Sequence, residues 1–305
     1  METPMLCAAI DIGSNTTRIL VAEPIDGQLK KIMEQRAYTR IAKARNGDGV
    51  IDADKVEEVA EAVETQVRLA QELGAESFRA VATASLREAS NGAEAAAVIE
   101  GRCGIPLDVV TEEEEGRLAF LGATKALGHP AEGPLAVVDV GGGSTEIIHG
   151  TVAGGVDEVR SWAVGSGVLA DELISSDPPS ASEIRGIRDR IEDVFSGVEL
   201  SPVDQAVAVG GTATSLRKIV GSRLEYETLE RGVRLLSGDT ASELGRQFEL
   251  DPVRVRILST GVLILEKMSE LLGQPLQIGK GGLREGIILD MLNGGVGSPS
   301  SALAS

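Results

Sequence analysis

Two stretches of this sequence share one pattern: an apolar run ending in a carboxylate, a turn of small residues, a hydroxyl, and a second apolar run. Asp11-Ile12-Gly13-Ser14-Asn15-Thr16-Thr17-Arg18-Ile19-Leu20 aligns without a gap to Asp139-Val140-Gly141-Gly142-Gly143-Ser144-Thr145-Glu146-Ile147-Ile148. Glycine lets backbone amides approach phosphate oxygens closely, hydroxyls add donors, and an Asp at a strand end offers Mg²⁺ a hard oxygen ligand. One such turn is common in hairpins that bind nothing. Two copies point to two related halves that face each other. A third small-residue run, Gly210-Gly211-Thr212-Ala213-Thr214, follows the apolar Val207–Val209 where a strand meets a helix N-terminus, a ready anion site. There is no G-x-x-x-x-G-K-[ST], which excludes a P-loop NTPase. No G-x-G-x-x-G opens a helix with a well-placed ribose acid, which argues against a Rossmann dehydrogenase.

The elements that must carry these turns follow from periodicity. Leu6–Asp11 and Thr16–Ala22 read as strands around the first turn. Over 54–73, Val56, Val59, Ala60, Val63, Val67 and Ala70 fall on one helical face, and Gly74 is the stop. Phe78–Ala82 is a strand and Thr83–Ala89 begins a helix. Thr111-x-x-Glu114 reads as a capping box opening a helix to about Leu127. His129–Pro134 is a Pro/Gly connector and a candidate boundary between domains at 1–127 and 128–293. Strands follow at Leu135–Val140, Thr145–Ile148, Val156–Val164 and Val207–Val209. Helices follow near 166–174, 181–195, 210–220, 240–248 and 252–272. A strand at 276–278 and a helix at 283–292 close the fold, and 294–305 reads as a frayed tail.

Composition narrows the class. Of 305 residues, 42% are hydrophobic, enough for real cores, and the net charge of −18 disfavours nucleic acid and anionic membranes as partners. No apolar run reaches the ~18–20 residues needed to span a bilayer, and the N-terminus lacks a basic n-region, so a cytoplasmic location is expected. Cys7 and Cys103 lack CxxC spacing and read as two buried, reduced thiols. Two histidines are too few for a metal cluster or an HD-type phosphohydrolase, and seven aromatics (one Trp, two Tyr, four Phe) are poor material for base stacking.

Taken in order, these motifs resemble the acetate kinase, sugar kinase and actin superfamily, and within it the exopolyphosphatase / guanosine pentaphosphate phosphohydrolase (Ppx/GppA) family. Thr83-Ala84-Ser85-Leu86-Arg87-Glu88-Ala89-Ser90-Asn91 is similar to that family's T-x-x-[LM]-R-x-A-x-N segment. Glu114-Glu115-Gly116 through Phe120 and Gly122 is similar to its E-E-[AG]-x-x-x-[YF]-x-G helix, and Gly282-Leu283-Arg284-Glu285-Gly286 to its closing G-L-R-E-G. The resemblance covers residues 6 to about 292. It implies an α/β protein of two ribonuclease H-like domains facing across a cleft, and a homodimer. Two places depart from the pattern. Arg254-Val255-Arg256 stands where an Arg-Ala-Asp triplet is usual, and Ile41–Gly47 replaces L-G-E-G-L. The sequence also ends before the C-terminal helical region of larger members, which predicts distributive cleavage and no preference for long polymers.

Roles follow from the resemblance. The acid before [AG], Glu115, is implied to be the general base that activates water against a terminal phosphorus. Glu112, Glu113 and Glu114 read as acids complementing the helix dipole. Asp139 and Glu146, on either side of one turn, are assigned to Mg²⁺. Gly13, Ser14 and Asn15, with Gly141, Gly142, Gly143, Ser144 and Thr145, are expected to form two phosphate cradles across the cleft. Gly211, Thr212 and Ala213 are expected to form a third contact. Arg87 and Arg284 are candidates for bidentate phosphate binding. Arg18 is either a phosphate contact or a strand-surface charge. The expected activity is exopolyphosphatase, with inorganic polyphosphate as substrate. The close alternative is guanosine pentaphosphate, and a kinase or an actin-like nucleotide switch is the more distant one.

Overall fold

Residues 5–25, 27–127 and 131–294 are described by a computed structural model of the chain. The first turn sits between β1 (Leu6–Ile12) and β2 (Thr17–Ile25), which pair antiparallel and continue into an edge strand, β3 (Gln28–Ala37). A 3₁₀ turn (Ile41–Ala44) leads to α1 (Ala53–Glu72), β4 (Ala75–Ala82), the single turn α2 (Ala84–Arg87), α3 (Gly92–Cys103), β5 (Leu107–Val109) and α4 (Glu112–Lys125). β4 pairs parallel with β1 and β5 with β4, giving the sheet order β3-β2-β1-β4-β5.

A second run repeats this plan. β6 (Leu135–Val140), β7 (Thr145–Thr151) and β8 (Gly155–Trp162) form an antiparallel meander. α5 (Ser166–Leu173), α6 (Ala181–Phe195), β9 (Gln205–Val209), α7 (Gly210–Val220), β10 (Arg223–Leu224), α8 (Tyr226–Leu236), α9 (Ala241–Phe248), α10 (Pro252–Leu272), β11 (Leu276–Ile278) and α11 (Leu283–Leu292) follow. β9 pairs parallel with β6, and β11 with β9. The order β8-β7-β6-β9-β11-β10 thus reproduces that of the first sheet, with a short strand added at its edge. The fold is α/β with two related sheets, as expected.

The chain forms two compact units. One holds the described residues through Ala126 and those from Gly281 onward; the other is Leu127–Lys280. This differs from the division expected at 1–127 and 128–293, because α11 belongs to the first unit. Residues 128–130 of the expected connector, including His129, and the tail from 295 lie outside the described residues.

Each unit follows from its pattern. In β1, Ala8, Ile10 and Ile12 point to a core shared with α1, whose six predicted positions are all buried. Cys7 and Ala9 point the other way, to Leu118 of α4 and Ile287, Ile288 and Met291 of α11. Both faces of the sheet are therefore covered, and continuous apolar runs suit its central strands. Burying an aliphatic side chain of this size contributes ~1.5–3 kcal/mol. In the second unit α10 is the hub. Pro252 opens it, Asp251 caps it by accepting from the Val253 N–H at 2.8 Å, and Gly273 closes it with φ 62°. Of the cysteines, Cys7 is buried as expected, whereas Cys103, at the end of α3, is only half-buried. Among the described residues no helix is long and apolar enough to cross a membrane.

Candidate active site

The two aligned turns have the same construction. The Gly13 N–H donates to the Thr16 carbonyl at 3.0 Å, and the Gly141 N–H to the Ser144 carbonyl at 2.9 Å. Asp11 pairs across the strands with Arg18, and Asp139 with Glu146. The turn carbonyls are engaged by backbone donors. Ser14 and Asn15 accept from Ala42 and Arg40, the latter with a left-handed φ of 49°. Gly141 accepts from Ser166, and Gly142 from Gly167 and Val168, in the first turn of α5. Carbonyls occupied in this way do not oppose an anion as free ones do. The divergent Ile41–Gly47 segment thus still supplies a backbone brace for the first turn. Gly165 is required for the second, since a Cβ there would lie 2.5–2.6 Å from Gly142 and Gly143 backbone atoms.

At three of the expected phosphate contacts the side chain faces inward. Thr145 is fully buried and donates to the Val164 carbonyl at 2.6 Å. Thr212 is buried and donates to the Val140 carbonyl at 2.8 Å, with the Ser166 hydroxyl at 3.3 Å. Ala213 is packed inside the core. These side chains support the turns. Gly13, Ser14, Asn15, Gly141, Gly142, Gly143, Ser144 and Gly211 remain half-buried at the surface of their units.

In the second unit, Asp139, Glu146 and Ser161 lie side by side across β6, β7 and β8, and the Ser161 hydroxyl donates to Glu146 Oε1 at 3.2 Å. Beside them Gly210 has a φ of +79°, and a Cβ on it would collide with Asp139 Oδ1. The carboxylate occupies space that only glycine leaves open. Two hard carboxylates with a neighbouring hydroxyl fit Mg²⁺, which keeps most of its waters and needs only one or two protein acids.

In the first unit, Arg87 and Glu115 come together. Arg87 Nη1 donates to Glu115 Oε2 at 3.0 Å and to the Val110 carbonyl at 3.0 Å, and Glu112 lies 3.6 Å from Nη2. The Glu115 side chain is 16% exposed, reachable by solvent but mostly desolvated. The Thr111 hydroxyl accepts from the Glu114 N–H at 3.2 Å, which is half of the expected capping box; the Glu114 carboxylate turns to Arg117 instead. Asn91 holds both backbone groups of Ile51 at 2.9 Å, so the final Asn of the arginine segment is structural.

Arg284, the second expected guanidinium, lies apart from the Arg87–Glu115 pair in its contacts. It donates to Glu34 at 2.7 Å and to the Ile19 carbonyl at 3.3 Å, bracing α11 to β2 and β3. Asp11 lies within its field and that of Arg18. Burial pushes the Asp11 carboxyl up, against the pull of both guanidinium groups. Arg256, one of the divergent bases, donates to the Ile174 carbonyl at the end of α5 and so has a local structural task.

Sequence reasoning did not find Ser161, Ser166 or the buried Arg79. The small-residue run Gly165-Ser166-Gly167 was the one available signal, because close backbone packing needs it.

A family model described as "Ppx/GppA phosphatase family" matches residues 20–294. Exopolyphosphatase 1 of Mycobacterium leprae (strain TN) is 27% identical over 311 positions, covering 95% of this chain and 90% of the relative. The crystal structure of the Aquifex aeolicus member of the Ppx/GppA family superposes with a TM-score of 0.80 at 29% identity, over 96% of this chain and 99% of that one. An exopolyphosphatase structure from Cytophaga hutchinsonii, at 19% identity, has a TM-score of 0.82 over 95% and 99% of the two chains and shares the fold. With the motifs in order and their geometry in place, this chain belongs to the Ppx/GppA phosphatase family.

Proposed function

We propose that this protein is an exopolyphosphatase that hydrolyses terminal orthophosphate from inorganic polyphosphate. The observation that carries the reading is the Arg87–Glu115 pair at 3.0 Å, a mostly desolvated carboxylate beside a guanidinium. Glu115 accepts a proton from the attacking water, and the water oxygen bonds to the terminal phosphorus as the bridging P–O bond breaks. The shortened polyphosphate leaves on that bridging oxygen. Arg87 is a donor that a phosphate oxygen can engage in place of Glu115. The Gly13–Asn15 and Gly141–Ser144 turns supply backbone amides for phosphate oxygens. Asp139 and Glu146 would hold Mg²⁺, which when bound neutralises charge on phosphate oxygens.

The test is orthophosphate release in the presence of Mg²⁺ from short and long polyphosphate, guanosine pentaphosphate and ATP. Release from polyphosphate is expected. A kcat/KM for guanosine pentaphosphate far above that for every polyphosphate would move the assignment to that nucleotide. No release from any of them would overturn the reaction class.

A further inference from the structure

Four consecutive acids, Glu112 to Glu115, open α4, and like charges a turn apart repel. The first unit divides three of them between two sets of guanidinium groups and leaves Glu113 exposed. Glu112 and Glu115 face Arg87. Glu114 takes two hydrogen bonds from Arg117, at 2.7 and 2.8 Å, and lies 3.7 Å from Arg79. Arg79, on β4, has a side chain only 4% exposed and also holds Asp108 of β5 at 3.1 Å and Asp290 of α11 at 2.7 Å. The second oxygen of Asp290 accepts from Arg117 at 2.7 Å. Arg79, Glu114, Arg117 and Asp290 therefore close a ring that joins β4, α4 and α11.

Away from the ring, Leu118 of α4 shares a buried apolar cluster with Ile287, Ile288 and Met291 of α11, and at the glycines the two backbones meet directly. A Cβ on Gly122 would strike the Gly282 carbonyl, and one on Gly286 would strike the Leu118 carbonyl. Such a contact sets the distance between two helices. Apolar packing beside it is non-directional, whereas the ring's hydrogen bonds fix donor and acceptor positions. A buried guanidinium among acids is weak evidence for stability, because desolvation offsets its attraction. What the ring does supply is one rotational setting of α4, the helix that carries Glu115 next to Glu114.

We propose that the Arg79–Glu114–Arg117–Asp290 ring is a positioning device that sets α4 so that the Glu115 carboxylate meets the attacking water. This rests on the reading of Glu115 as the base. The positioning residues touch neither substrate nor water, so their effect should vanish once the base is gone.

The experiment is a double-mutant cycle on polyphosphate hydrolysis, with Asp290→Asn and Arg117→Gln each made in the parent and in Glu115→Gln. Near-ultraviolet circular dichroism monitors the folded fraction. In the parent, each ring variant is expected to lower kcat about 10- to 100-fold, the scale of a misplaced catalytic group, with KM within about twofold. In the Glu115→Gln background the same change should alter the residual rate by less than about twofold. Should Asp290→Asn fail to fold, Arg117→Gln carries the test, since that side chain is 44% exposed. The proposal is overturned if both ring variants keep full kcat, or if the loss persists unchanged in the Glu115→Gln background. It is also overturned if kcat tracks the folded fraction alone. Full turnover by Glu115→Gln itself would refute the base assignment, a result distinct from an additive cycle.

Discussion

Gly210→Ala separates two effects that meet at one atom. Gly210 has a φ of +79°, and the position its Cβ would take holds Asp139 Oδ1, with Asp139 Cγ at 3.0 Å. Gly197, in the same unit, has a φ of +69° with nothing within 4 Å of its Cβ position. Gly197→Ala therefore carries only the left-handed penalty, ~1–2 kcal/mol. Gly210→Ala carries that penalty plus ~1–3 kcal/mol of overpacking, ~2–5 kcal/mol together. At about 2–4 °C per kcal/mol for a unit of this size, the expected losses in Tm are about 2–8 °C and about 4–20 °C. The functional consequence is the sharper distinction. The Asp139 carboxylate must move in Gly210→Ala, so the Mg²⁺ concentration for half-maximal phosphate release should rise, while Gly197→Ala keeps the parent value. Calorimetry and a Mg²⁺ titration of the rate check both. Equal Tm losses together with equal Mg²⁺ dependence in the two variants would refute the reasoning.

Three other expectations follow from the same coordinates. Glu115→Gln should keep the fold and lose about 10²- to 10⁴-fold in rate, whereas Glu113→Gln, at an exposed position, should change little; equal rates in both would reassign the helix. Asp139→Asn and Glu146→Gln should each raise the Mg²⁺ requirement and lower kcat, because an amide oxygen is a poorer ligand for a hard cation, and a rate indifferent to chelator would contradict this. Burial would raise the Glu34 carboxyl, but the charge and hydrogen bond of Arg284, helped by Lys31, bring it from 4.5 down to about 2. A carboxylate with a depressed folded pKa contributes stability above its unfolded value, ~4.3, and that stability is lost as pH falls toward 2. Arg284→Met should therefore be less stable than the parent at neutral pH and converge with it near pH 2; a gap that stays constant in acid-unfolding curves would be the contrary result.

The local grammar of the chain was legible from its residues. The duplicated Asp-x-Gly turns predicted two hairpins, and their cross-strand partners, Asp11 with Arg18 and Asp139 with Glu146, repeat the alignment position by position. The periods of α1 and of the run at 181–195 were equally clear, since each helix buries one face and its apolar residues recur within a turn. Two elements left little pattern. β3 is an edge strand rich in charge and α3 is alanine-rich with a weak stripe, whereas α8 does carry a stripe, burying Leu229, Gly232 and Leu236 on one face, that sequence reasoning did not find. Tertiary structure alone decided which side chains of the motifs face outward. Thr145 and Thr212 look like phosphate donors in one dimension, yet their hydroxyls hold carbonyls that only folding brings near. It alone returned α11 to the first unit, and it alone set Arg79 against Asp290, 211 residues away. Pairing over such a separation imposes no period on the sequence. It depends on the sheet order and the close glycine contact between two helices, and these exist only once the chain has folded.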